Sequence, residues 1–249
     1  MRSELNLQRT AKHLVACQPR GSTRVFGAYN RAVKSLADLL EDALPQTQCT
    51  RCGYPDCRHY AEAMACGEAP INQCPPGGQA GIERLSRITG QPVLPLNPAN
   101  GHEGPRLLAV IDEDWCIGCT LCIQACPVDA IVGAPKLMHT VIEGDCTGCE
   151  LCVAPCPVDC IALVEATPGR TGWQAWSPEQ AGTARTRYAF HQLRLVRDRA
   201  DNDVRLAAKR EAKLAALNAP DAPPDPDAER KRAIIAAAVE RAKAQRRAA

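Results

Sequence analysis

Apolar residues recur at helical spacing in four stretches of the chain. In VFGAYNRAVKSLADLLEDAL (residues 25–44) they are Val33, Leu36, Leu39 and Leu40, and Pro45 marks the end of the predicted helix. A shorter helical pattern, QAGIERLSRITG (79–90), is closed by Gly90. Residues 183–217 predict a long, mostly polar helix with Leu193, Val196, Val204 and Ala207 along one side. The four prolines of NAPDAPPDPDA (218–228) stop it, because proline cannot sit inside a helix. ERKRAIIAAAVERAKAQRR (229–247) restarts a helix whose apolar stripe of Ile234, Ile235, Ala238, Val239 and Ala242 is thin. That stripe reads as a solvated or partner-docking helix rather than a membrane-surface one. Residues 1–24 form a polar lead-in. QPVLPLNPANGHEGP (91–105) and ATPGRTGWQAWSPEQAG (166–182) read as linkers.

Composition argues against one large core. Aromatic residues make up only 4% of the 249 residues, against 20 Pro and 15 Cys, so small modules stapled by something other than apolar burial fit better. The opening residues carry charges throughout and no apolar run of signal-peptide length. With the cysteines packed two residues apart, this points to metal ligation in a reducing, cytoplasmic setting rather than disulfides. No stretch approaches the roughly 18 apolar residues of a membrane span, so membrane association is expected to be peripheral. Net charge is +2 but uneven: residues 181–249 carry 16 Lys and Arg against 9 Asp and Glu, whereas 106–165 carry two against nine. An acidic centre and a basic tail suggest two different contact surfaces.

The acidic centre contains an internal repeat. WCIGCTLCIQACPVDAI (115–131) and DCTGCELCVAPCPVDCI (145–161) align without gaps at an offset of 30, with ten of seventeen positions identical. Each copy is C-x2-C-x2-C-x3-C-P, in which three cysteines of a run hold one cluster and the fourth ligates the other. One [4Fe–4S] cluster is therefore expected on Cys116, Cys119, Cys122 and Cys156, and a second on Cys146, Cys149, Cys152 and Cys126. Two zinc sites fit less well, because zinc motifs pair separated C-x2-C units. Gly118 and Gly148 let backbone N–H groups approach cluster sulfurs. Cys160 falls on Ala130 of the sister copy and reads as a spectator, while Asp129 and Asp159 read as orienting local backbone.

CTRCGYPDCRHYAEAMACGEAPINQCPPGG (49–78) places further cysteines at 49, 52, 57, 66 and 74. Its spacing admits zinc or a cluster, with Cys66 or Cys74 as the fourth ligand. His59 reads as solvent-facing on the following helix. GGQAG lacks the Lys-Ser/Thr of a phosphate loop.

Together, LPQTQCTRCGYPDCRHYAEAMACGEAPINQCPPGG and VIDEDWCIGCTLCIQACPVDAIVGAPKLMHTVIEGDCTGCELCVAPCPVDCI resemble the B subunit of the Rnf/Rsx electron transport complex over roughly residues 36–165. The resemblance includes the Lys136–Thr140 segment between the two copies. It implies that Cys49, Cys52, Cys57 and Cys74 hold a third [4Fe–4S] cluster. Members of that family usually begin with a hydrophobic anchor, and this sequence reads as a form lacking it. The basic tail after residue 183 is not part of the shared core.

The expected fold class is α+β, a small Fe–S domain followed by a two-[4Fe–4S] bacterial ferredoxin-like domain with helical, partly disordered extensions. The expected boundaries are an N-terminal extension over 1–35, a single-cluster domain over 36–90, a linker over 91–105, a two-cluster domain over 106–165, and a linker and basic helical tail over 166–249. No nucleotide fingerprint, nucleophile–base pair or flavin motif is present, so the clusters are the chemistry. Acidic surroundings oppose adding an electron and favour docking on a basic partner. The resemblance implies an electron-relay subunit at the cytoplasmic face of the inner membrane. Its partners would be other subunits of the complex and a donor such as ferredoxin or an NADH-linked subunit. The alternative is a soluble multi-cluster ferredoxin or redox-sensing module whose tail binds an acidic surface. A nucleic-acid role is weakly supported, because the tail's arginines are mixed with Asp198, Asp201, Asp203 and Glu211.

Overall fold

The computed structural model describes residues 34–217 and 227–248. The polar lead-in with Cys17, the first part of the predicted 25–44 helix and the proline-rich break at 218–226 lie outside the described residues. The protein is mixed, with helices and two small sheets. It divides into two compact units, one ending at Arg185 and the other beginning at Thr186.

The first described element of the first unit is α1 (Leu36–Asp42), shorter than the apolar spacing predicts. Ser35 is extended and starts the helix with a capping box: its Oγ accepts from the Asp38 amide at 3.2 Å, and Asp38 accepts from the Ser35 amide at 2.8 Å. Among the described residues of the predicted stripe only Leu40 is buried, joined by Leu44, whereas Leu36 and Leu39 stay exposed. α2 (Cys57–Ala65) is capped by Asp56, and α3 (Gly78–Thr89) ends at the left-handed Gly90 as expected. These helices close around Leu40, Leu44, Tyr60, Met64, Ile71, Ile82 and Leu85. The Tyr60 hydroxyl donates to Pro70 O at 2.8 Å and accepts from the Gln73 amide at 3.1 Å, which pins the loop running to Cys74.

The 166–182 segment is more than a linker. Residues Gly172–Ala175 form a 3-10 turn that carries Trp173 into the helical module. Its indole N–H donates to Ala43 O at 2.6 Å, its ring lies against Gly81, and the Arg84 guanidinium stacks 4.0 Å from the ring centroid. Proline and glycine content marks the segment as a connection, but one buried indole makes it part of a core. Trp173→Ala is expected to cost about 3–5 kcal/mol, as for a buried aromatic truncated in place, and thermal unfolding of the helical module would measure it.

Between these pieces runs the repeat region. β1 (Leu107–Ile111) pairs antiparallel with β4 (Ile161–Glu165), Ala109 opposite Leu163. β2 (Ile131–Val132) pairs antiparallel with β3 (Thr140–Val141), and the short α4 spans Leu121–Ala125. Shifting β1 and β2 forward by 30 residues brings them onto the regions of β3 and β4, so the repeat extends from the cysteine runs to the strands. Large buried apolar residues here are few: Ile111, Val128, Ile131 and Ile161.

α5 spans Pro178–Leu217, and α6 spans Ala228–Ala248. In the second unit Leu193, Val196 and Val204 are exposed, while Val239 is buried. The Arg232 guanidinium donates to Leu217 O at 2.6 Å. No helix among the described residues is long and apolar enough to cross a membrane.

Candidate metal centres

The loop before α2 is built from left-handed residues: Gln46, Gln48 and Thr50 have φ of 60°, 55° and 59°. Each costs energy for a non-glycine residue and needs bracing. Two buried glutamines supply it. Gln46 donates to Glu41 O at 2.6 Å, Gln48 donates to Gln46 Oε1 at 3.0 Å, and Gln48 accepts from the Cys57 amide at 3.0 Å. Cys57 and Cys74 are buried, with Cys49 and Cys52 half-buried. Burial pushes the Cys57 thiol well above the ordinary thiol range, with Cys74, Cys49 and Cys52 adding to it. Cys74 is raised by burial and then by Cys49 and Cys52, and burial pushes Cys52 up to about 11. These four thiols thus share one electrostatic neighbourhood. Cys66 is the C-cap of α2 and is not among the free thiols. His59 is over half exposed, its Nδ1 2.8 Å from Asp56 Oδ1.

The two copies of the repeat share backbone geometry as well as sequence. Gly118 and Gly148 have φ of 67° and 63°, Thr120 and Glu150 both 66°, and Asp129 and Asp159 52° and 51°. A Cβ on Gly148 would stand 2.3 Å from Leu107 O, and one on Gly118 2.6 Å from Leu137 N and O, so each cysteine loop packs directly on the strand-entry backbone. The left-handed aspartates turn the Cys-Pro-Val-Asp loop so that amides face its cysteine: Ala130 N donates to Cys126 Sγ at 3.2 Å. For Cys156, burial raises the thiol, and the amides of Val158 and Cys160, the Cys160 thiol and the Asp159 amide more than offset this, leaving it below the ordinary value.

Cys126, from the first copy, lines one cavity with Cys146, Cys149 and Cys152 of the second, enclosed by Ala109, Val128, Ala130, Ile131 and Val141. Burial pushes Cys149 up to about 11 and Cys152 up to about 12, with the other thiols of the set contributing. Among the described residues no three His, Cys, Asp or Glu side chains close on a point as they would around a single ion. A cavity walled by four sulfurs and apolar groups, with backbone amides turned inward, suits the donor chemistry of an iron–sulfur cluster.

On the other side, burial raises the Cys122 thiol, the Ile123 amide opposes it, and Cys119 and Cys116 add to the rise. Cys160 does not stand apart: its Sγ is 3.5 Å from Cys156 Sγ, and burial raises its thiol, with Cys116 adding to the rise. Against the same thiols lies His139, fully buried, a residue that cysteine spacing does not single out.

The helical module meets the repeat region through the second copy's loop. Thr147 Oγ1 donates to Thr47 O at 3.0 Å in a buried contact, Arg51 pairs with Glu150, and Asn100 Nδ2 donates to Arg51 O at 2.9 Å. The loops carrying Cys49 and Cys146–Cys149 are therefore neighbours.

Residues 109–163 match the family described as "4Fe-4S dicluster domain", and residues 44–76 match "Putative Fe-S cluster". Three curated relatives are named as the B subunit of an ion-translocating oxidoreductase complex. The relative from Alkalilimnicola ehrlichii is 54% identical over 156 residues, covering 62% of this chain and 83% of the relative. That from Hahella chejuensis is 56% identical over 141 residues, or 57% of this chain and 71% of the relative. That from Azoarcus sp. is 59% identical over 99 residues, 40% of this chain. The chain spans about half the length of the Azoarcus relative, 54%.

Proposed function

The chain belongs to the B-subunit family of ion-translocating oxidoreductase complexes, and from that membership we propose that it relays single electrons through three [4Fe–4S] clusters. The proposed ligands are Cys49, Cys52, Cys57 and Cys74; Cys116, Cys119, Cys122 and Cys156; and Cys126, Cys146, Cys149 and Cys152. The observation that carries the reading is the cavity in which Cys126 of one copy joins three cysteines of the other, the crossed arrangement of a two-cluster ferredoxin. When bound, such clusters take up and pass one electron each with no bond made or broken in a substrate.

The chain's own part is to hold and shield. Buried thiols present sulfur to the metal and keep water out, and the amides of the Cys-Pro-Val-Asp loops stabilise negative charge on sulfur. The Thr147–Thr47 and Arg51–Glu150 contacts support an order in which the Cys49 site adjoins the Cys146 site, with the Cys116 site farthest along. The proposed partners are integral subunits of a membrane complex and a low-potential donor such as ferredoxin or an NADH-linked subunit. The proposed location is the cytoplasmic face of the inner membrane, reached through those partners.

Anaerobic reconstitution of the full chain is expected to give about twelve irons per protein with no stoichiometric zinc, from the ligand count. A count near eight would remove the third cluster. Recovery in the membrane fraction is expected only when the integral partners are co-expressed; membrane recovery without them counts against docking through those partners.

A further inference from the structure

The offset of 30 that relates the cysteine runs also places Ala109 on His139, and Leu163 on Gly133. In one ladder, β1–β4, Ala109 of the first copy faces Leu163 of the second. In the other, the ladder of Ile131 with Val141 and Val132 with Thr140 leads directly to Gly133 beside His139. Bulk has been exchanged between strands. A Cβ on Gly133 would stand 2.3 Å from His139 Cδ2, and its φ of 151° is one that side chains rarely adopt, so the backbone is cut away to seat an imidazole. Where His139 is buried against Cys122, its counterpart Ala109 puts only a methyl into the cavity of Cys126, Cys146, Cys149 and Cys152.

His139 meets two of the proposed ligands. Its backbone N donates to Cys116 Sγ at 3.3 Å, and its Nδ1 lies 3.3 Å from Cys122 Sγ. An iron-bound thiolate has no proton to give, so the ring must be the donor in that contact. The far nitrogen, Nε2, is buried without a partner. A buried lone pair without a donor is tolerated more readily than a buried N–H without an acceptor. Both ends of the ring therefore favour the tautomer with its proton on Nδ1.

Resting on the three-cluster reading above, we propose that His139 is a redox-positioning residue. It donates Nδ1–H to Cys122 Sγ and so holds the Cys116-side cluster at a higher potential than the Cys146-side cluster, where Ala109 supplies no such donor. A hydrogen bond to a ligand sulfur favours the reduced, more negative state. The paired clusters, near-identical in sequence, become unequal, and an electron on the Cys146 side runs downhill to the Cys116 side.

The test is an anaerobic redox titration of the reconstituted full chain, followed by electron paramagnetic resonance, for wild type, His139→Leu and His139→Asn. His139→Leu removes the donor, while the Asn amide restores an N–H near the position of Nδ1. With iron unchanged, His139→Leu is expected to lower one midpoint only. The shift corresponds to about a tenfold fall in the reduced-to-oxidised ratio at fixed ambient potential, and His139→Asn should recover most of it. Unchanged midpoints at full iron content overturn the proposal, as does an equal shift in both variants. If His139→Leu fails to load, pulsed resonance on wild type carrying histidine labelled with 15N in the ring alone decides. A nitrogen coupling to a reduced cluster that disappears in His139→Asn supports the assignment, and its absence overturns it. A wild-type iron count below three clusters would instead count against the three-cluster reading.

Discussion

Cys156→Ala is expected to remove about four of the protein's roughly twelve irons, whereas Cys160→Ala removes none. The two thiols are 3.5 Å apart, so the contrast tests chemistry rather than location. Against burial, the amides of Val158 and Cys160, the Cys160 thiol and the Asp159 amide hold the Cys156 thiol below the ordinary range, which prepares it to bind metal as thiolate. Cys160 is the opposite case: burial first, then its bond to Cys156, pushes it up to about 12, so it stays a thiol that donates. Iron analysis with resonance spectra of the reduced proteins would read the result. Full iron in Cys156→Ala that vanishes in the double variant would make Cys160 a ligand and end its reading as a spectator.

Stripping the iron is expected to unfold residues 107–165 while the helical module persists. The helical module has Leu40, Leu44, Tyr60, Met64, Ile71, Ile82, Leu85 and Trp173 to hold it, whereas much of the interior around the repeat is cysteine and alanine. At about 25 cal/mol per Å² of apolar surface, the latter set cannot offset the entropy of ordering its loops without metal. Amide hydrogen exchange after anaerobic chelation should show protection lost in β1 and β4 and kept in α2 and α3. Equal loss in both regions would sink the distinction.

The same experiment carries a pH dependence. The Cys52 thiol, in the helical module that persists, is raised to about 11 by burial, so the apo module holds more protons than the unfolded chain between the ordinary thiol value of 9.0 and that value. Stability of the apo helical module is therefore whole below pH 9 and falls as pH rises toward 11, whereas iron-held thiolates remove that slope.

The crossed cysteine pattern is readable because cluster binding writes its requirement as spacing, twice. What escapes are single residues whose roles depend on distant partners. Trp173 lies in a segment rich in proline and glycine, and nothing local says that an indole there reaches Ala43. Gln46 and Gln48 read as loop polarity until their amides are seen bracing left-handed backbone. The strands LLAVI and IALVE are short apolar runs that helix-oriented periodicity does not resolve. His139 is within reach, since carrying the offset of 30 upstream of the cysteines sets it on Ala109. Ser35 breaks a predicted helix because a capping box outweighs apolar spacing that continues through it.

The pairing of β1 with β4 brings the two ends of the repeat region side by side, and the chain on either side goes back to the same place. Ala166 N donates to Arg106 O at 2.8 Å, Gly172 N to Gly104 O at 3.3 Å, and Thr171 Oγ1 to Glu103 Oε1 at 2.7 Å. The helical module is thus discontinuous in sequence, completed by Trp173 only after the chain has left and returned. The two-copy region is a guest inserted into a host, carried on a stalk of two adjacent strands. Insertions of this kind tolerate exchange when the few contacts beyond the stalk, here Thr147 with Thr47 and Arg51 with Glu150, are matched as well. A different redox module with neighbouring ends could be grafted at Gly104 and Gly172 without disturbing the host's core.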